Sequence, residues 1–101
     1  MSVVFLPRAE HDLSDLFLYI HDELQNPSAA HNVATKILAR SQSLEAFPTM
    51  GASLASIDQR LGDYRYLLVD NYLIIYRSST EQISIVRILY ARSDYVQLLQ
   101  G

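Results

Sequence analysis

The chain has 101 residues, half of them hydrophobic and 19% charged, with no cysteine and a formal net charge of −3. This composition excludes a disordered chain, a disulfide framework and thiolate chemistry, and the length suits one domain, residues 1–101, built on a single core. No apolar run reaches membrane-span length, and the first residues lack the charged start and apolar core of a signal peptide, so a soluble, cytoplasmic protein with no membrane partner is expected.

Val3-Val4-Phe5-Leu6 is a short β-branched and aromatic run closed by Pro7, which fits a first strand leading into a helix. Ala9, Leu13, Leu16, Phe17, Ile20 and Leu24 then recur at steps of three and four, one apolar stripe of an amphipathic helix whose acids occupy the solvated side. Gln25-Asn26-Pro27-Ser28 interrupts it, with Ser28 as the expected N-cap of a second helix. That helix carries Ala30, Val33, Ala34, Ile37, Leu38 and Leu44 and ends near Phe47-Pro48, because proline disfavours helix in the residue before it.

Thr49 to Gly62 is small and polar and reads as a loop with room for a short helical turn. Three strand runs follow: Tyr64–Val69, Tyr72–Arg77 and Ile83–Arg92, separated by the turn signals Asp70-Asn71 and Ser78-Ser79-Thr80. Ser93 is positioned to cap a last helical turn through Tyr95, Leu98 and Leu99. The expected fold is α+β in the order β-α-α-β-β-β with a short C-terminal helix: a helical hairpin on one face of an antiparallel sheet, the other face open.

Charge is uneven along the chain. Residues 1–59 set Arg8, Lys36 and Arg40 against Glu10, Asp12, Asp15, Asp22, Glu23, Glu45 and Asp58, a balance of −4. The remainder holds Arg60, Arg65, Arg77, Arg87 and Arg92 against four acids. Arginine's donor fork matches phosphate, and tyrosine offers a flat ring with a hydroxyl, so the strands could carry a nucleic-acid or protein-binding surface. The structural alternative is that these arginines snorkel at strand ends and pair with Asp63, Asp70 or Asp94.

Strict alternation puts Tyr64, Tyr66 and Leu68 on one face against Arg65, Leu67 and Val69. In the last strand it sets Val86, Ile88, Tyr90 and Arg92 against Ile85, Arg87, Leu89 and Ala91. Tyr66, Tyr72 and Tyr76 read as half-buried packing, whereas Tyr90 and Tyr95, beside Arg92 at the end of the last strand, are the better site candidates. His11, His21 and His31 are evenly spaced, but ten helical residues leave side chains out of alignment by roughly 80°, and the third lies on another helix. No metal site, nucleophile motif or phosphate loop is expected.

The order Ala9-Glu10-His11-Asp12-Leu13, Tyr19-Ile20, Leu44-Glu45-Ala46-Phe47-Pro48-Thr49-Met50-Gly51, Tyr64-Arg65, Tyr72 to Tyr76-Arg77 and Arg87-Ile88-Leu89-Tyr90-Ala91-Arg92 resembles the RelE/ParE toxins of bacterial type II toxin–antitoxin modules. The resemblance covers nearly the whole chain and implies a toxin silenced by a cognate antitoxin. RelE-like members cleave messenger RNA on the ribosome without metal or cofactor; ParE-like members inhibit DNA gyrase and need no catalytic groups. Cleavage would require a proton acceptor, a donor to the leaving oxygen and cations on the phosphate.

By resemblance the catalytic set is Arg65, Tyr90, Arg92 and Tyr95, the two arginines on the phosphate. Tyr90 stands where many relatives have histidine, and a free phenol deprotonates near pH 10, roughly three and a half units above imidazole. Messenger RNA cleavage is the first expectation. Gyrase inhibition is the second, and an inactive scaffold that only binds antitoxin is the third.

Overall fold

The computed structural model describes residues 2–100. The first apolar run forms strand β1 (Ser2–Phe5), parallel to the last strand with Val3 opposite Ile83 and Phe5 opposite Ile85. Pro7 opens helix α1 (Pro7–Leu18) at the position where a missing N–H costs nothing. Ala9 and Leu16 are buried on its inner stripe, and Leu13 and Phe17 pack beside them.

Beyond Leu18 the helix widens into a π turn, Tyr19–Glu23. The Leu24 N–H donates to the Tyr19 carbonyl at 3.1 Å and the Asn26 N–H to that of Ile20 at 3.1 Å. Gln25 makes the reversal in the left-handed region, φ 49°. Helix α2 (Pro27–Ser43) starts at once, and its cap is Asn26, whose Oδ1 accepts from the Ala29 N–H at 3.1 Å. The expected cap, Ser28, lies inside the helix. Pro27 takes the first helical position, which moves the capping role to the residue before it.

Four further strands complete the sheet: β2 (Ala52–Ser53), β3 (Arg65–Val69), β4 (Tyr72–Ser78) and β5 (Gln82–Tyr90). Their order is β1-β5-β4-β3-β2, antiparallel except for the β1–β5 pair. The meander and helical hairpin are as expected; β2 is an addition within the expected loop. β5 ends two residues early, at Tyr90, where the Ser93 N–H and hydroxyl both donate to the Tyr90 carbonyl and fold the chain into a turn. Ser93 thus closes a turn and does not cap the last helix, α3 (Tyr95–Gln100), whose first carbonyl acceptor is Asp94.

A β-bulge corrects the simple alternation. Ile75 lies opposite Arg87 and Tyr76 opposite Ile85, so Val86 is an extra residue without a partner in β4. Parity flips there, and Ile83, Ile85 and Ile88 all join the helix-side core with Leu67, Val69, Ile74 and Tyr76.

The second face of the sheet is covered, not open. Short 3-10 turns at Leu54–Ser56 and Gln59–Leu61 lay Leu54 and Leu61 over Leu73, Ile75 and Leu89, and Tyr95, Val96 and Leu99 of α3 pack against the same cluster. β4 supplies apolar side chains to both faces, and burying both is what drives this second layer.

Candidate functional site

Tyr76 is completely buried in β4. Its hydroxyl donates to the Pro48 carbonyl at 2.9 Å and accepts from the Gly51 N–H at 2.9 Å. Arg65, directly opposite Tyr76 in the β3–β4 pair, donates from Nη1 to the Gly51 carbonyl at 2.7 Å. Phe47-Pro48-Thr49-Met50-Gly51 is therefore latched to the sheet from both sides of Gly51. Burial pushes the Tyr76 phenol up, with the Gly51 N–H and the Arg65 charge opposing. The sequence marked Tyr76 only as packing; a buried hydroxyl must find a partner, and the Pro-x-x-Gly loop supplies one.

The four residues expected at one site are divided by the fold. Arg65 sits at the start of β3, while Tyr90 pairs with Tyr72, which pairs with Val69 at its far end. At ~3.3 Å per residue and ~4.8 Å per strand, that puts Arg65 on the order of 16 Å from Tyr90. Tyr90 and Arg92 are exposed together at the end of β5. Tyr95, the first residue of α3, is half-buried against the second-face core.

Most strand-region arginines are engaged within the chain. Arg60 pairs with Asp58 at 2.6 Å, Arg77 lies 5.5 Å from the Tyr64 ring centroid, and Arg87 binds Asp12 through Nε at 2.7 Å and Nη2 at 3.0 Å. Their acid partners are Asp12 and Asp58; Asp70 instead meets Lys36 at 3.3 Å. Asp12 departs from the solvated face expected of the α1 acids. Its Oδ2 also accepts from the Ile88 N–H at 2.9 Å, a strand donor beyond the end of β1, and the contact raises the Arg87 pKa above the usual guanidinium value.

The main concavity lies on the helix side, an open groove of about 1220 Å³ between the α1–α2 hairpin and the ends of β4 and β5. Its apolar lining includes Leu16, Ile20, Leu24, Val33 and Ile88; Tyr19, Tyr72 and Tyr90 add aromatic rings, and Asp12, Asp15 and Asp70 add carboxylates. Tyr72 and Tyr90 meet edge to face at 5.8 Å. Burial, then Tyr90, Tyr19 and Asp70, raise the Tyr72 pKa above that of a free phenol. Arg92 is outside this lining, so no guanidinium from the expected set faces the groove.

A helical hairpin on a β1-β5-β4-β3-β2 sheet, with a latched Pro-x-x-Gly loop and a tyrosine-rich groove, is the α+β arrangement that the resemblance to RelE/ParE toxins implied. The family model for the ParE toxin of type II toxin–antitoxin systems, parDE, matches residues 3–95. The chain belongs to the ParE toxin family. A chain of the solved structure described as the chromosomal ParDE TA system from P. aeruginosa is similar in fold, with 21% identity and a TM-score of 0.76 over 91% of this chain and 97% of that one. No curated protein matches. Membership makes the chain the toxin of a type II system and implies an antitoxin partner. Among the described residues no helix is long and apolar enough to cross a membrane.

Proposed function

We propose that this toxin arrests growth in the cytoplasm by binding DNA gyrase, an inhibition between proteins that needs no catalytic group or cofactor. The observation that carries the reading is that Arg65 and Arg87 are held within the chain by Gly51 and Asp12, while the exposed Arg60 and Arg77 lie against Asp58 and Tyr64. RNA cleavage asks for several cations converging on one phosphate beside a proton acceptor. Arg65 donates to Gly51, Tyr95 is half-buried against the second-face core, and the helix-side groove is lined by carboxylates and by no guanidinium, a poor match to a phosphate backbone. Membership of the ParE family supports the same reading.

Cleavage of mRNA on the ribosome has one observation in its favour, the joint exposure of Tyr90 and Arg92 at the end of β5. Purified chain added to gyrase and relaxed plasmid separates the two. Loss of supercoiling, with reporter mRNA intact on translating ribosomes, is the expected result. Full supercoiling with cut mRNA that survives in neither Tyr90→Phe nor Arg92→Ala would replace it with the nuclease. Inactivity in both assays, with growth unaffected on induction, would leave an antitoxin-binding scaffold.

A further inference from the structure

We infer that the toxin meets gyrase with the C-terminal end of α2 and the loop that follows it, the Phe47 ring entering an apolar hollow of the enzyme and Arg40 pairing with a carboxylate on its rim. This rests on gyrase as the target and adds the surface that makes the contact. Phe47 is 63% exposed, the most exposed large apolar side chain among the described residues, and Met50, three residues on, is 38% exposed.

The backbone that carries the ring is fixed from both sides. The helical turn continues past Ser43, whose carbonyl accepts from the Phe47 N–H at 3.2 Å, and the Met50 N–H donates to the Phe47 carbonyl at 3.1 Å. Beyond it the Tyr76 hydroxyl and the Arg65 guanidinium hold Pro48 and Gly51 to the sheet. Neither Phe47 nor Met50 belongs to a core cluster, so core packing gives no reason for holding this loop. A preorganised anchor does: an aromatic ordered before association loses little freedom on binding, and Met50 beside it adapts to the partner's shape.

Charge gives the partner's character. Lys36, Arg40, Ser43 and Phe47 recur at steps of four, three and four, and at 3.6 residues per turn they fall within about 60° of one another around the helix axis. Lys36 and Arg40 are two of the three lysines and arginines in residues 1–59. Lys36 meets Asp70 at 3.3 Å, whereas Arg40 is exposed and has no ion pair among the described residues. Glu45, the acid nearest in sequence, is turned about 140° away from Arg40. The stripe therefore ends in a free guanidinium followed two turns on by an exposed ring.

Arginine and aromatic side chains are the pair enriched where protein interfaces concentrate their binding energy. One free cation on a chain of net charge −3 is a weak ligand for a phosphate backbone, whose affinity grows with the number of charges neutralised. It suits a carboxylate, which accepts two parallel hydrogen bonds from a guanidinium. This face is also separate from the helix-side groove: Val33, which lines the groove, precedes Phe47 by roughly 20 Å along the helix.

The test measures, for the full chain and its variants, the concentration that halves supercoiling by purified gyrase and the affinity for gyrase by titration. Phe47→Ala and Arg40→Glu should each raise both values at least ten-fold while leaving the urea midpoint of the free chain unchanged. Phe47→Tyr, which keeps the ring, should stay within a few-fold of wild type. Leu18→Ala, which trims another exposed apolar side chain on α1, should match wild type. A wild-type chain that inhibits gyrase together with Phe47→Ala and Arg40→Glu variants that inhibit equally well would overturn the surface and leave the target standing. A wild-type chain without effect on gyrase would overturn both. Loss in Leu18→Ala as large as in Phe47→Ala would also overturn the surface. So would binding to duplex DNA without gyrase that Arg40→Glu abolishes, which would assign the face to nucleic acid, or a chain dimeric alone and turned monomeric by Phe47→Ala, which would assign it to a second copy.

Discussion

The Tyr76 hydroxyl and the Gly51 N–H are 2.9 Å apart, and the space between the phenol ring and the loop is filled. A Cβ on Gly51 would lie 2.6 Å from the Tyr76 oxygen and 2.7 Å from the Tyr66 carbonyl. Neither is the free end of a flexible side chain, because the phenol is held by two hydrogen bonds and Tyr66 by its strand pairing. Gly51→Ala should therefore destabilise the fold by about 1–3 kcal/mol through overpacking, seen as a lower urea midpoint at unchanged slope. Tyr76→Phe keeps the ring but strands the Gly51 N–H and the Pro48 carbonyl, an expected cost of about 1–3 kcal/mol.

The same phenol sets an alkaline limit. Burial raises the Tyr76 pKa above 10, so the unfolded chain loses its proton first as pH rises. The stability contributed by the neutral buried phenol is complete below about pH 10 and declines as pH climbs from there toward the folded-state value. Tyr72, raised for the same reason of burial, adds to that decline. The stability gap between wild type and Tyr76→Phe should narrow on the alkaline side of about pH 10, as read from urea unfolding across the pH series. A constant gap would mean that the Tyr76 phenol ionises alike in both states.

Asp12 ties together two elements that are distant in sequence, α1 and the bulged β5, through the Arg87 guanidinium and the Ile88 N–H. The Asp12 and Arg87 side chains are only 13% and 11% exposed, and the Arg87 Nη1 has no partner among the described residues. Removing the carboxylate leaves a guanidinium in a half-closed site. Asp12→Ala should cost about 3–5 kcal/mol, whereas replacing both partners, Asp12→Leu with Arg87→Met, should cost much less. Asp12→Asn, which keeps an acceptor for the Ile88 N–H, should fall between them. A double-mutant cycle by chemical denaturation checks the order.

Periodicity carried much of the fold. The α1 stripe from Ala9 to Ile20, the second helix and three strand runs are each specified by local spacing, and Pro7, Pro27 and the Asp70-Asn71 turn punctuate them. What spacing could not carry were features that arise only on assembly. Val86 bulges where the pairing of β5 with β1 ends and that with β4 continues, and nothing local separates it from Ile85. Leu54 and Leu61 look like loop residues until β4 exposes Leu73 and Ile75 on the second face. The candidate site was least legible: sequence proximity grouped Tyr95 with Tyr90 and Arg92, yet the turn at Ser93 sends Tyr95 to the second-face core. Arg65 went to the loop because Gly51 offers a carbonyl within reach. A buried tyrosine followed by arginine opposite a Pro-x-x-Gly loop was the signal that could have revealed the latch.

Asp58 provides a titration with a clear sign. It caps the turn Gln59–Leu61, accepting from the Arg60 N–H at 2.9 Å, and holds the Arg60 guanidinium through Nε at 3.0 Å and Nη2 at 2.6 Å. The side-chain bond to Arg60, followed by the backbone bond, lowers its pKa to about 2. A carboxyl depressed in the folded state contributes stability that is present above the unfolded value near 4 and is lost as pH falls toward the folded value. The contribution should therefore fade between about pH 4 and pH 2 and be absent from Asp58→Asn. In Arg60→Gln the carboxyl carbon of Asp58, followed by NMR, should titrate at a clearly higher pH while the backbone N–H bond still holds it below an ordinary aspartate. If its midpoint did not move, the guanidinium could not be the principal cause of the shift. The turn would then be held by the Asp58 cap alone, and Leu61 would keep its place over Leu73 and Leu89 without help from Arg60.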